Sequence, residues 1–373
     1  MSNNLKATTD GTNRYRERFR GQVADGHFRQ SQTLWLSSIG LGSYLGNADA
    51  RTDQAYQLAV QRAVELGCNV FDSAANYRFQ RSERSFGQAF SALFTEGGLS
   101  RDEIFVSTKG GFLPFDGAMP RSRQHLMAYL EETFIKPGFC RYEDFVQDSH
   151  CMAPGYLEHQ LNQSLRNLQL NCVDLYYLHN PETQLSEIPS EEFYRRLSAA
   201  FEFLESAVEA GKIAMYGTAT WNGYRAASTN ESFLSLERVV QTAQHVGGNN
   251  HHFKAVQLPV NLAMVEAFTN ANQTVNGKKV TLLEAAEEFG ITVMASGSIL
   301  QSRLSDGLPP IVSEAFPALK TDAQRAIQFV RSTPGVTTAL VGMSNPDHVE
   351  ENLDLAKTSP ATRESYLKLF GRE

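Results

Sequence analysis

The chain predicts an α/β fold of the closed (β/α)₈, or TIM-barrel, type, and three observations carry that expectation. From about residue 36 onward, short β-rich apolar runs alternate with longer stretches of helical period, the pattern of a parallel sheet wrapped by helices. Eight such runs can be counted, which is the number that closes a barrel. The 373 residues, 42% hydrophobic and 20% charged, are enough to bury one large core and too well mixed for a disordered chain.

Taken in order, the predicted strands are Leu36–Leu41, Asn69–Asp72, Ile104–Lys109, Val173–His179, Ile213–Thr218, Ala255–Pro259, Ile291–Ala295 and Thr338–Val341. The helical stretches between them carry their own punctuation. After Thr52, the positions Ala55, Leu58, Ala59, Ala63 and Leu66 predict one apolar face, with Gly67 as a left-handed cap. Leu157, Leu161, Leu165 and Leu168 repeat the stripe behind Pro154, which suits a first helical turn. Phe193, Leu197, Phe201 and Leu204 do so again before Gly211. Thr281 and Glu284 form a capping box ahead of a helix closed by Gly290. In the last unit, Asn345 is the expected N-cap, with Pro346 at the first helical position.

Two segments stand outside the repeat, so three parts are expected. Residues 1–33 form an N-terminal arm, read as flexible, and HFRQSQTLWL is a candidate hairpin closing the lower mouth of the barrel. Residues 34–360 form the barrel, and residues 361–373 a C-terminal tail. Residues 112–153 lengthen the third strand-to-helix connection well beyond an ordinary loop. Since these connections lie on the catalytic face, the insertion is expected to shape the substrate pocket, the alternative being a cover over the rim.

Composition excludes several function classes. A net charge of −7 argues against a nucleic-acid partner, which usually leaves a basic patch. The opening MSNNLKATTDGTNRYRERFRGQ lacks the apolar core of a secretory signal or membrane span, and Asp10 and Glu17 interrupt the Arg14, Arg16, Arg18, Arg20 series in a way transit peptides avoid. A cytoplasmic protein without a membrane partner is expected. Cys68, Cys140, Cys151 and Cys172 have no CxxC spacing and are read as reduced, packed thiols. His251 and His252 lie in a loop, and His150 and Cys151 stand side by side without further ligands at metal spacing, so no metal is expected.

Chemistry in such a barrel collects at the carboxyl ends of the strands. Asp72 ends the second run in FDSAANY, Tyr77 follows five residues on, Lys109 ends the third in FVSTKGG, and His179 ends the fourth in DLYYLHNP. Singly, each has an innocent reading: a capping Asp, a rim Tyr, a solvated Lys, a hydrogen-bonded His. Together they make an acid catalyst. A phenol with an ordinary pKa near 10 needs a neighbouring cation to release its proton, Lys109 is that cation, and Asp72 would hold it charged and oriented. His179 would donate a hydrogen bond to a carbonyl oxygen.

With FDSAANYRFQRSERSFG, IFVSTKGG, SLRNLQLNCVDLYYLHNPE and VGMSNPDHVEENL in view, the chain resembles the aldo-keto reductase family over roughly residues 34–356. The resemblance implies a nicotinamide cofactor lying across the barrel mouth, with NADP preferred and NAD the alternative, and an aldehyde or ketone reduced to an alcohol, or the reverse. It places Gly42, Ser43 and Asp72 beside the nicotinamide, Gln257 and Thr220 at the carboxamide, and Ser296 where family members usually carry a stacking aromatic. It places Gly342, Ser344, His348, Glu351 and Asn352 at the phosphate and adenine end, and Tyr44, Phe112 and Trp221 on the substrate. Ala219 and Thr220 replace the usual Ser-Asn pair, and Gly342, Met343 and His348 stand where many NADPH-using members carry Arg or Lys.

Two rivals remain beside a small-molecule oxidoreductase: a non-catalytic nicotinamide-binding regulatory subunit of the same fold, and a phosphate-binding lyase or isomerase barrel. The latter would want glycine-rich loops after the seventh and eighth strands, of which SGSIL is a weak version. The oligomeric state is left open.

Overall fold

The computed structural model describes residues 5–370. Eight parallel strands close into a barrel: β1 (Ile39–Gly42), β2 (Val70–Asp72), β3 (Phe105–Gly110), β4 (Val173–His179), β5 (Ile213–Ala219), β6 (Phe253–Pro259), β7 (Thr292–Ser296) and β8 (Thr338–Gly342). Each pairs with its sequence neighbour, and β8 closes on β1 through Ala339–Ile39 to Gly342–Gly42. The outer helices are α1 (Ala50–Glu65), α2 (Arg81–Thr95), α3 (Pro154–Leu168), α4 (Ser190–Glu209), α5 (Leu236–Gly247), α6 (Leu282–Glu288), α7 (Asp322–Ser332) and α8 (Pro346–Leu353).

The capping expectations are met at α3, α6 and α8: Pro154 opens α3, Thr281 and Glu284 close a capping box, and Asn345 accepts from the Asp347 N–H ahead of Pro346. The apolar face expected for α1 is rotated. Tyr56, Ala59, Val60, Ala63 and Val64 are buried, whereas Leu58 is 47% exposed. The buried stripe alternates steps of three and one, so the tyrosine, not the leucine, sets the face that meets the barrel.

The first predicted strand, Leu36–Leu41, is two elements. Leu34–Ser37 pairs antiparallel with Phe28–Ser31 in a hairpin, and the barrel strand starts at Ile39. The break has a polar cause: Ser37 Oγ donates to Ile39 O, Ser37 N–H donates to Asn69 Oδ1, and Ser38 N–H donates to His27 O. The hairpin leucines Leu34 and Leu36 join Val70, Phe105, Leu175, Tyr177, Ala255, Met294 and Leu340, the side chains that fill the barrel interior. The lower mouth is thereby plugged with apolar surface.

From residue 5 onward the amino-terminal arm is not loose. Thr8 caps a helix over Thr9–Arg18 whose Tyr15 is fully buried and donates to the carbonyls of Val64 and Cys68. Arg14 and Arg18 pair with Glu103, and Arg16 lies 3.8 Å over the Trp35 ring. Three of the four arginines that resemble a targeting run, Arg14, Arg16 and Arg18, are thus committed to contacts at the lower end of the barrel, while Arg20 stays exposed beside Glu17. In the segment expected to be a tail, Arg363–Lys368 is helical, and fully buried Tyr366 hydrogen-bonds Thr333 and stacks on Phe329. All four cysteines are free and buried.

The 112–153 insertion folds onto the barrel wall. A helix at Arg123–Leu130 runs into a π-turn, and a two-residue hairpin pairs Phe145–Val146 with His150–Cys151. Leu130, Phe134 and Phe145 are buried in the main core, where Phe134 and Phe145 meet Tyr156 of α3. Of this whole segment only Phe112 reaches the cavity described below, so the insertion is mostly wall and not pocket. Its apolar residues found core to bury in, which outweighs any tendency to overhang the mouth.

His27, enclosed beside Gly67 O and the Phe28 ring, has its pKa lowered to about 3, chiefly by burial and further by Arg331. Below pH ~6.5 the unfolded chain takes up a proton that the native state refuses, so stability falls with pH through that window, by up to about 1.4 kcal/mol per pH unit. Replacing His27 with Gln should shrink the loss in unfolding free energy between pH 7 and pH 4.5 by about 2–3 kcal/mol. Urea melts at the two pH values read this directly.

Candidate active site

A cavity of about 410 Å³ opens at the carboxyl ends of the strands. Asp72, on its floor, belongs to an ion pair whose lysine lies just beneath: Lys109 Nζ donates to Asp72 Oδ2 at 2.5 Å and to Ser73 O at 2.8 Å. Asp72 also accepts from Ser107 Oγ at 2.8 Å and from Gln257 Nε2 at 2.9 Å, so β2, β3 and β6 all contribute to one carboxylate. Both charges are nearly dry, at 5% exposure for Asp72 and 1% for Lys109. Burial alone would lower the lysine pKa, but Asp72 and Tyr77 outweigh it and raise the value above that of an ordinary lysine.

Tyr77 stands above this pair, with Lys109 Nζ 5.0 Å from its ring centroid. Burial pushes the phenol pKa above its ordinary value, Lys109 pulls it back by charge and hydrogen bonding, and Asp72 raises it again. The phenol therefore keeps its proton through neutral pH, beside a cation ready to stabilise the phenolate, which is what a general acid requires. His179 lies edge-on to Tyr77 at 5.8 Å and to Phe112 at 5.1 Å. Burial, with Lys109 and His150 adding to it, holds its pKa well below the ordinary histidine value, so the ring is neutral and offers one N–H.

The loop carrying Tyr77 is held in an uncommon shape. Arg78, Phe79 and Gln80 all have left-handed φ values of 49°, 58° and 68°, which cost non-glycine residues roughly 1–2 kcal/mol each. Buried polar ties over-determine the turn: Arg78 donates to Asn47 O and to Asp53, and Gln80 Nε2 donates to Pro114 O. Nothing in the periodicity announces such a turn.

The structure brings Gly42, Ser43, Tyr44, Asp72, Tyr77, Phe112, His179, Thr220, Trp221, Gln257, Ser296 and Gly342 to this one cavity. Ser344, His348, Glu351 and Asn352 do not line it; they lie on the connection after β8 and on α8. There Glu351 accepts from Thr321 Oγ1, His348 is exposed, and buried Asn352 leaves Oδ1 without a partner. Two of the residues expected at the nicotinamide end are engaged within the protein: Ser43 Oγ donates to Ser73 Oγ, and the Gln257 amide nitrogen is committed to Asp72. The neighbouring Thr220 Oγ1 is buried without a partner.

Sequence reasoning missed Glu182 and His150. Glu182 Oε1 accepts the N–H groups of Trp221, Asn222 and Gly223, and so fixes the loop that presents Trp221. Burial raises its pKa against the pull of those backbone donors. Its signal was the HNPE run itself, one turn past His179. His150, considered in the sequence only as a metal ligand, is buried against the His179 backbone. Among the described residues, no three His, Cys, Asp or Glu side chains are grouped to hold a metal ion, and no helix is long and apolar enough to cross a membrane.

A family model described as the aldo/keto reductase family matches residues 38–307. The chain belongs to the aldo/keto reductase family. Among members related to this aldo/keto reductase chain, a probable voltage-gated potassium channel subunit beta of Oryza sativa subsp. japonica is 23% identical over 343 residues, spanning 88% of this chain and 89% of that protein. The NADP(+) aldo-keto reductase yakc of Schizosaccharomyces pombe is 27% identical over 188 residues, spanning 49% and 41%. A crystallised aldo/keto reductase from Klebsiella pneumoniae, in complex with NADP and acetate, has the same fold with a TM-score of 0.60, 22% identity and coverage of 93% and 94%.

The buried pair of this family member gives a direct test. Replacing Lys109 with Met strands the Asp72 charge without its cation and should cost about 3–5 kcal/mol of stability, whereas replacing Asp72 with Leu as well should recover most of it. Chemical denaturation of the single and double variants measures both.

Proposed function

We propose that the chain is a nicotinamide-dependent oxidoreductase that reduces an aldehyde or ketone to an alcohol, or runs the reverse, with Tyr77 as general acid. The observation that carries the reading is that Asp72, Tyr77 and His179 line one cavity, with Lys109 bound to Asp72 just beneath it and 5.0 Å from the Tyr77 ring.

A bound nicotinamide dinucleotide supplies or accepts the hydride. Its fit is supported by unpartnered buried acceptors at both ends of the run of residues assigned to it, Thr220 Oγ1 and Asn352 Oδ1. Gly42, Ser43, Asp72, Thr220, Gln257 and Ser296 would hold the nicotinamide end. Gly342, Ser344, His348, Glu351 and Asn352 would hold the other, where the backbone N–H groups opening α8 add an anion-friendly dipole.

The chain's own residues do the acid–base work. The His179 N–H polarises the substrate carbonyl, and Tyr77 gives its phenolic proton to the oxygen as negative charge develops there. The Lys109 ammonium, held by Asp72, stabilises the phenolate until solvent reprotonates it. Tyr44, Phe112 and Trp221 wall the substrate with aromatic surface and exclude water, which strengthens each of these interactions. In the alcohol-oxidising direction the same phenol receives the proton.

A second reading, a non-catalytic nicotinamide-binding subunit, draws support from the printed name of the rice relative. Single-turnover oxidation of bound NADPH at saturating carbonyl separates the two. The wild type should turn over, and Tyr77→Phe should slow the step about 10²–10⁴-fold while leaving NADPH affinity unchanged. Tight NADPH binding with no carbonyl turnover would favour the subunit.

Cofactor choice follows from charge. Arg325 is tied to Asp322 and Leu319 O, and exposed Lys320 faces Asp354, which leaves no free lysine or arginine among the residues assigned to a 2′-phosphate, with His348 in their place. The ratio of kcat/KM for NADPH over NADH should therefore stay within about 100-fold.

A further inference from the structure

His179 ends β4, and its carbonyl oxygen accepts a hydrogen bond from a residue far along another element. His150 Nε2 lies 2.7 Å from His179 O. His150 is fully buried on the last hairpin strand of the 112–153 insertion, whose next residue, Cys151, donates its N–H to Gly111 O beside the site. The Phe112 ring stands edge-on to both imidazoles, at 5.0 Å from His150 and 5.1 Å from His179.

The tautomer of His150 follows from its neighbours. Arg196, which can only donate, gives Nη1–H to Gln184 Oε1 at 2.8 Å, and this fixes which end of the Gln184 amide is nitrogen. That nitrogen donates to His150 Nδ1 at 2.9 Å and to His150 O at 3.1 Å. Nδ1 is therefore an acceptor, and the ring proton sits on Nε2, facing the His179 carbonyl. Arg196 is itself anchored by Glu192 and by the carbonyls of Glu143 and Asp144, so the chain of bonds runs from α4 through the insertion to β4. Space for it depends on Gly111, with φ +139°, where a Cβ would stand 2.8 Å from His150 Nε2 and 3.1 Å from His179 O.

We propose that His150 is a positioning residue for His179: its Nε2–H clamps the His179 carbonyl, and the Glu192–Arg196–Gln184 chain holds His150 in the donating tautomer, so the insertion serves the reaction by aiming the carbonyl-polarising ring. The proposal rests on the reductase reading above. An imidazole released from this clamp keeps its chemistry and loses its aim, and misplacement on the scale of an ångström costs up to about 100-fold in rate.

The test is a double-mutant cycle on His150 and His179, read as single-turnover NADPH oxidation at saturating carbonyl. His150→Ala should slow the step about 10- to 100-fold with NADPH affinity unchanged. His150→Gln, which returns an N–H at similar reach, should recover most of the loss. In the His179→Ala background, His150→Ala should cost no more than about twofold, because the residue it aims is gone. Gly111→Ala, which wedges a methyl into the clamp, should copy His150→Ala. If His150→Ala does not fold, as judged by its thermal melt, His150→Gln and Gln184→Met carry the same comparison. Additive losses in the double variant, or an equal loss of cofactor affinity, would overturn the clamp while the wild type still turns over. A wild type that binds NADPH and reduces no carbonyl overturns the reductase reading, and the clamp with it.

Discussion

Two opposite charges inside the barrel, Asp72 and Lys109, impose the main constraint on this molecule. A buried ion pair is expensive to desolvate and holds only if every lone pair and proton is matched. Here the matching partners come from strands distant in sequence: Ser107 on β3, Gln257 on β6, and the carbonyl of Ser73 at the end of β2. Opening the barrel or slipping one strand would strand a charge, so closure and active-site chemistry depend on the same contacts. The hairpin leucines below and the aromatic rings above keep water from the pair.

Above that floor, the loops take their shape from buried polar side chains that satisfy one or more backbone groups each. Arg78 and Gln80 hold a left-handed turn after Tyr77, Glu182 gathers three N–H groups around Trp221, and His150 closes on the His179 carbonyl. The pattern explains how irregular backbone with unfavourable φ values persists near the cavity: strain in each turn is offset by hydrogen bonds that no alternative conformation can replace. It also accounts for neutral His179 and protonated Tyr77, since the same exclusion of water that makes the ties strong disfavours charge on both rings.

The periphery follows the same economy of surface. The amino-terminal helix, the hairpin and the carboxyl-terminal helix each bury a tyrosine or leucine against the barrel, and the long insertion turns Leu130, Phe134 and Phe145 into the core. None of these segments overhangs the cavity mouth; the insertion reaches it through Phe112 alone. Family membership and barrel architecture thus come with a pocket lined by strand ends and by the connections that follow them, Ser43–Leu45, Thr220–Trp221 and Gly297–Gln301 among them.

The sequence by itself determined the barrel, because eight apolar runs separated by capped helical stretches have few other ways to bury their faces; Pro154, the Thr281–Glu284 box and Asn345–Pro346 announced helix starts through local chemistry alone. It also announced Asp72, Tyr77, Lys109 and His179, since strand ends in a parallel barrel must meet at one face. What it could not show were pairings between residues remote along the chain. The split of Leu36–Leu41 at Ser38 turns on Asn69 and His27, the burial of the arginine-rich arm on Glu103, and the exposure of Leu58 on which stripe Tyr56 presents. The place of His150 was not legible because its partners, His179 and Gln184, the latter held by Arg196, approach it only after β4 and α4 fold beside the insertion. Periodicity reports what each segment hides from water; which polar groups then find one another is decided by tertiary closure, where an unpaired buried group costs more than any local preference returns.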